Sequence, residues 1–297
     1  MKKETTLHFT EKPSIISCYF KFLFSRKKGL RPGESLPVIT ATWNNVKVDR
    51  NNLNAYAATC GLAVSGHLPP LYPHIISAPI HTTMLSHKDF PLPMMGSIHH
   101  RNHIIQHRQI HTDETLDIFC NVETKRNISK GLEFDIMTNV TVSGEPVWDS
   151  ITTVFIRGKF GEPDKPSELS NISSSPEAKL KAEWFVPAGT GRKYAKITGD
   201  YNPIHMSPLS AKLFGFKRDI AHGMWTLANA IGRMPLTLNN KPVKIDAAFK
   251  GPMFMNNKAK LNVFEYDTGN KLDVYCGDNP RPIICADIKF VEPGTKF

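Results

Sequence analysis

The chain has 297 residues, 40% of them hydrophobic and 22% charged, with a formal net charge of +10. Such a length builds one large core or two of ordinary size, and no apolar run is long enough to span a bilayer. The positive charge calls for an anionic partner or marks a basic soluble surface, but Lys and Arg are scattered and no nucleic-acid-binding motif occurs, so nucleic acid is set aside.

Five cysteines (Cys18, Cys60, Cys120, Cys276 and Cys285) are widely spaced, with no Cys-x-x-Cys pair. They suggest neither a disulfide framework nor a zinc knuckle, and they fit a reducing cytoplasm. Lys2 and Lys3 precede a partly apolar run from Ile15 to Phe24. Lys21 interrupts that run, Arg26 to Lys28 follow it, and no small-residue cleavage site stands there, which argues against a signal peptide. An amphipathic helix from Ser14 to Lys28 fits better, with Ile15, Tyr19, Phe22 and Leu23 on one face. Packing on the fold is its expected use, and contact with a membrane surface is the alternative.

Gly33 to Lys47 reads as a loop leading into an apolar, β-branched run. Asp49 to Gly61 reads as a helix capped by Asp49 or Asn51 and stopped by Gly61. Here an internal repeat begins. Tyr56-Ala-Ala-Thr-Cys-Gly61-Leu62-Ala-Val64 matches Tyr194-Ala-Lys-Ile-Thr-Gly199-Asp200-Tyr-Asn202 at a constant offset of 138. Leu62 stands where Asp200 stands in the second copy, and Val64 where Asn202 stands. Helices follow in each half, Ile75 to Leu85 despite Pro79, and Ile220 to Met234, which is apolar on most faces. Strands are expected at Asn102–Ile110, Leu116–Thr124, Leu132–Val142 and Val147–Ile156, then at Val243–Phe249, Ala259–Tyr266, Leu272–Cys276 and Pro282–Phe290. Between the halves, Gly161 to Glu177 is rich in Pro and Ser and reads as a linker. Pattern alone gives an α+β fold in two similar halves.

The second copy carries the chemistry. Asp200, Asn202 and His205 fall within six residues, and Pro203 and Gly199 shape a turn that aims acid and imidazole at one point. Such a turn is also a common cap. The longer pattern, from Tyr194 through Thr198-Gly-Asp-Tyr-Asn-Pro-Ile-His205 to the small Ala211, resembles the signature of the MaoC-like dehydratases and (R)-specific enoyl-CoA hydratases. The resemblance implies a double hot dog, two antiparallel sheets each wrapped around a central helix and fused in one chain. Residues 1–32 would be a helical extension, 33–160 a non-catalytic hot dog, 161–180 the linker and 181–297 the catalytic hot dog. It implies reversible hydration of trans-2-enoyl thioesters to (3R)-hydroxyacyl thioesters of coenzyme A or acyl carrier protein.

That chemistry needs an acid–base pair and donors for the thioester oxygen. Asp200 and His205 are the pair; Asn202 orients the water or His205, or only shapes the turn. The oxygen donor implied by the family is the N–H of Gly223, at the start of the buried helix within Ala221-His222-Gly223-Met224. Tyr194, Gly199, Pro203, His222 and Met224 are expected to line the substrate site, His222 as a structural histidine. Arg192, Lys217 and Arg218, with Lys193 beside them, flank the motifs as candidate phosphate contacts. With Leu62 in place of an acid, the first half should be silent, its Leu62, Ile76 and Ile80 facing the acyl groove. His103, His107 and His111 are four apart, about 13 Å in a strand, so no metal site is expected, nor any redox cofactor. Internal pairing of hot dogs allows a homodimer without requiring one. The rivals are a hot-dog thioesterase and an acyl-thioester-binding pseudoenzyme or partner subunit.

Overall fold

The computed structural model describes residues 4–24, 27–31, 33–63, 65–234 and 241–297. Lys2, Lys3, Arg26, Val64 and the Leu23 side chain lie outside the described residues. The first half contains β1 (Glu4–Phe9), α1 (Ile16–Phe24), β2 (Val38–Lys47), α2 (Arg50–Cys60), α3 (Tyr72–Ser86), β3 (Ile98–Gln106), β4 (Thr115–Ile128), β5 (Gly131–Val142) and β6 (Glu145–Arg157). The second contains β7 (Lys179–Val186), α4 (Thr190–Thr198), α5 (Pro208–Leu213), β8 (Ile220–Ala221), α6 (Gly223–Ile231), β9 (Val243–Phe249), β10 (Met253–Phe254), β11 (Asn257–Tyr266), β12 (Gly269–Cys276) and β13 (Ile284–Phe290). The stretch between β6 and β7 holds only the 3-10 turn Glu168–Ser170.

The strands run in the order β1-β2-β4-β5-β6-β3-β9-β13-β12-β11-β7. Apart from β1, the order is a palindrome about the β3–β9 pair, as two copies of one unit facing each other would give. The hot dogs therefore share one continuous sheet, where two sheets were expected. Antiparallel pairing of β3 with β9 makes the join, and a 2.7 Å contact between His103 Nδ1 and Asp246 crosses it. β1 was not foreseen from the sequence. It adds to β2 in parallel, with only Leu7 and Phe9 packing against the core.

The helices follow from their caps and apolar faces. Asp49 accepts the N–H groups of Asn51 and Asn52 at the start of α2, satisfying donors that the first turn leaves free. Gly61 and Gly199 end α2 and α4 in the left-handed conformation, at φ 67° and 78°, which glycine adopts without a Cβ clash. The repeated tyrosines that open the motif, Tyr56 and Tyr194, are both buried and meet with ring centroids 6.3 Å apart. α3 packs against β2, β4 and β5. It accommodates Pro79, and the hydroxyls of Ser77, Thr82 and Thr83 bond carbonyls one turn back. In α6 every side chain from Met224 to Ile231 is buried. Thus each half places one helix in the hollow of the sheet, the double hot-dog arrangement.

Candidate active site

The motif folds as a run of local hydrogen bonds. The Asp200 N–H bonds the Thr198 hydroxyl (3.2 Å), and Asp200 Oδ1 accepts the Asn202 N–H (3.1 Å). The Asn202 side chain caps the 3-10 turn Pro203–His205. Asn202 therefore sets the direction of His205 through the backbone. Gly191 in α4 allows this turn to approach, since a Cβ there would stand 2.2 Å from the His205 carbonyl oxygen.

His205 Nδ1 lies 2.8 Å from the Ile220 carbonyl. A carbonyl can only accept, so Nδ1 carries the proton and Nε2 keeps a lone pair. Burial, more than the nearby His222, lowers the His205 pKa to about 3. The ring stacks on His222 at 3.6 Å, and Tyr194 packs on the other imidazole at 4.9 Å. His222 Nε2 donates to the Asp200 carbonyl oxygen (3.0 Å) and lies 3.5 Å from Oδ2. Burial raises the Asp200 pKa, but His222, His205, the Asn202 N–H and the Tyr19 hydroxyl outweigh it and hold the carboxyl below its ordinary range. The carboxylate is ringed by protein yet its side chain is 46% accessible, because it opens into a cavity.

That cavity has a volume of about 520 Å³. One wall is α3 of the first half, with Ile75, Ala78, Thr82 and Leu85; the other holds Asp200, His205 and the start of α6. Gly223 is the first residue of α6, so its N–H has no partner within the helix. Phe249 lies against it, and a Cβ on Gly223 would stand 2.7 Å from that ring. The site thus pairs an ionised carboxylate and a neutral imidazole with a helix N-terminus across one open cavity.

Residues 173–274 match the model of the MaoC like domain. The 3-hydroxyacyl-thioester dehydratase X of Mycobacterium tuberculosis is 35% identical over 243 residues, 80% of this chain and 84% of that protein. The chain belongs to the MaoC-like dehydratase family. The crystal structure of that enzyme, HtdX, matches with a TM-score of 0.75 at 30% identity, over 85% of this chain and 100% of that one. The peroxisomal enoyl-CoA hydratase 2 of Arabidopsis thaliana is 34% identical over 110 residues, 34% of this chain and 36% of that protein. A double hot-dog protein of Mycobacterium tuberculosis matches with a TM-score of 0.56 over 88% of this chain and 96% of that one, and its 11% identity bears on the fold alone.

Within this MaoC-like site the expected residues divide. Tyr194, Asp200, Asn202, His205, His222, Gly223 and Met224 line the cavity; Gly199 and Pro203 shape the turn behind it. Arg192, Lys217 and Arg218 do not line it. Arg192 bonds the Met206 carbonyl, Lys217 is exposed, and Arg218 pairs with Asp219 at 3.1 Å. Among the described residues, the arginine and lysine that reach the lining are Arg157 and Lys250. Leu62 and Ile80 also fall elsewhere. Leu62 packs where a Cβ on Gly232 would stand, 2.8 Å away, and Ile80 is in the core. The rotation of α3 puts Ile75, Ala78, Thr82 and Leu85 inward, and with them neither Ile76 nor Ile80.

Among the described residues Asp200, His205 and His222 have ligand atoms within 4.8 Å of one another. They fit an ion poorly. The imidazoles are stacked nearly parallel, and His205 Nδ1 and His222 Nε2 already donate to carbonyls, so few lone pairs converge. His103 and His107 each sit 2.7 Å from their own carboxylate, of Asp246 and Asp149.

Sequence reasoning missed Gly191, Phe249, Tyr19 as a contact of Asp200, and a cluster of histidines on the cavity wall. His74 lies 5.7 Å from His81 and 5.5 Å from His99. Burial lowers the pKa of His74 to about 4 and of His99 to about 3, and it also lowers those of His81 and His222. Once unfolded, each ring protonates below its ordinary pKa of about 6.5. Stability should therefore be full above that pH and fall as the pH drops toward 4. Each neutral histidine contributes about 1.4 kcal/mol of loss per pH unit. Asp200, and Glu133 at about 2 despite its burial, add losses only below the usual carboxylate range. Melting curves should show a steep fall in Tm on the acid side of pH 6.5; a Tm unchanged down to pH 4.5 would contradict neutral burial of these rings.

Proposed function

We propose that this chain is a hydro-lyase that reversibly hydrates trans-2-enoyl thioesters to (3R)-hydroxyacyl thioesters, with Asp200 and His205 as its acid–base pair. The observation that carries the reading is the joint opening of an ionised carboxylate and an unprotonated Nε2 into one cavity that begins at a helix N-terminus. A water bridging the two has its proton drawn off as its oxygen bonds C3. Electron density then moves from the double bond onto the thioester oxygen. The Gly223 N–H and the α6 dipole stabilise that oxygen. The proton held by the pair passes to C2, so water adds across the double bond and the pair returns to its starting state. Dehydration is the same path reversed.

The thioester belongs to coenzyme A or to acyl carrier protein, whose phosphates would find Arg157 and Lys250, both exposed, at the lining. The first half supplies no acid, since Leu62 occupies that place. It supplies the α3 wall along which the acyl chain lies, running from His74, whose ring burial keeps neutral against the pull of the Asp200 carboxylate, toward Leu85. One active site per chain follows.

A ladder of enoyl-CoA substrates tests this. Wild type should consume enoyl absorbance for crotonyl-CoA and for longer chains. Thr82 lies two turns along α3 from His74, and Thr82→Phe should plug the far end. Each buried methylene contributes about 0.8 kcal/mol, so excluding a few lowers kcat/KM for long substrates by about fiftyfold. Activity on crotonyl-CoA should survive. Equal loss on all lengths would remove α3 as the acyl wall.

A further inference from the structure

Helix α1 belongs to neither hot dog, yet it reaches the reacting groups. Its inner face packs on α3 and on the catalytic turn. Cys18 is buried, Ile15 just ahead of the helix occupies the space a Cβ on Gly199 would need, and Phe22 and Tyr19 line the cavity. The Tyr19 hydroxyl donates to Asp200 Oδ1 at 3.2 Å and accepts the Tyr201 N–H at 2.8 Å. The two partners are 181 residues apart in the chain, so only the seating of α1 brings them together.

The geometry points to Tyr19 as a positioning residue for the hydration reaction, one that ties down Asp200 Oδ1 and leaves Oδ2 as the working oxygen. This rests on the role proposed above for Asp200. The phenol oxygen accepts the Tyr201 N–H, which directs its own hydrogen away from that bond and toward Asp200. Burial and the neighbouring Asp200 push the phenol well above its usual range, so it stays a donor. Oδ1 then receives two donors, the Asn202 N–H and the Tyr19 hydroxyl. Among the described residues Oδ2 has only the His222 Nε2 at 3.5 Å, and that N–H is shared with the Asp200 carbonyl at 3.0 Å. The carboxylate is thereby held in one rotation, with its less engaged oxygen left for water. A donor chain of this kind also polarises each member.

Tyr19→Phe keeps the ring and its edge contact with Tyr201, whose centroid is 6.1 Å away, and removes only the hydroxyl. Loss of one hydrogen bond to a charged group should lower kcat on crotonyl-CoA by about tenfold, with KM little changed. Without that donor the carboxylate is less favoured, so the acid limb of the pH–rate profile should move to higher pH. Phe24→Ser, on the outer face where Phe24 is 78% exposed, should change neither. A Tyr19→Phe enzyme with the wild-type kcat and pH profile overturns the inference, as does one that loses Tm and activity together with the acid limb unmoved. Wild type inactive on every enoyl thioester would overturn the proposed function and this inference with it; an active wild type confines failure to Tyr19.

Discussion

Asp200→Asn and His205→Gln are each expected to lower the rate of enoyl-thioester hydration by at least about a hundredfold, the usual scale for removing a positioned acid or base. Asparagine can still accept the Asn202 N–H and the Tyr19 hydroxyl that Asp200 Oδ1 accepts, so the turn should keep its shape. Glutamine at position 205 loses the stack on His222, and a modest fall in Tm should accompany its inactivity. Both variants should still bind a non-reactive acyl thioester, because the α3 wall and the start of α6 are untouched and each substitution nearly keeps the size of the side chain. Near-normal turnover in either variant, measured by loss of enoyl absorbance, would remove that residue from the chemistry.

Gly223→Val is expected to cost about as much, because the substitution acts on the thioester oxygen rather than on water. The valine side chain leaves the N–H in place but keeps the oxygen from reaching it, and losing one well-aimed donor contact removes about 3 kcal/mol of transition-state stabilisation, roughly a hundredfold in rate. The structure adds a second consequence. A Cβ at this position lies 2.7 Å from the Phe249 ring, which must move, and overpacking of this kind costs about 1–3 kcal/mol of stability. Adding Phe249→Leu makes room and separates the two effects. If the N–H is the oxygen donor, the double variant recovers Tm and stays slow. Recovery of Tm and turnover together would leave Gly223 a packing role only.

The legible part of the chain was the part fixed by short-range chemistry. Asp49 and Gly61 mark helix ends because caps and left-handed residues have few chemical solutions; of the two caps the sequence allowed the structure uses Asp49, and Gly199, read as part of a turn, also ends a helix. Four strands in each half were legible from their β-branched runs, whereas β7 was not expected and β2 lies in a stretch read as a loop leading into such a run. The repeat foretold two similar halves, although not their mirrored strand order or the pairing of β3 with β9 that fuses them into one sheet. Asp200 and His205 were visible because their spacing is local. Tyr19 was not, since its partner is 181 residues away and nothing in a helix of mixed apolar face announces what it will touch. The acyl wall was misplaced for a related reason. Ile76 and Ile80 are as apolar as Ile75, and only the packing of α3 on β2, β4 and β5 decides which of them faces the cavity. Arg192, Lys217 and Arg218 lie near the motif in sequence, but the cations at the cavity, Arg157 and Lys250, come from the ends of β6 and β9.

The most direct measurement is the fate of labelled water. Incubation of the protein with crotonyl-CoA in ¹⁸O-enriched water, followed by mass spectrometry of the products, distinguishes where the oxygen goes. The account predicts a (3R)-hydroxybutyryl thioester carrying the label on C3, formed by wild type and at least about a hundredfold more slowly by Asp200→Asn. Label in a free carboxylate with loss of coenzyme A, or no label in any product, would contradict it.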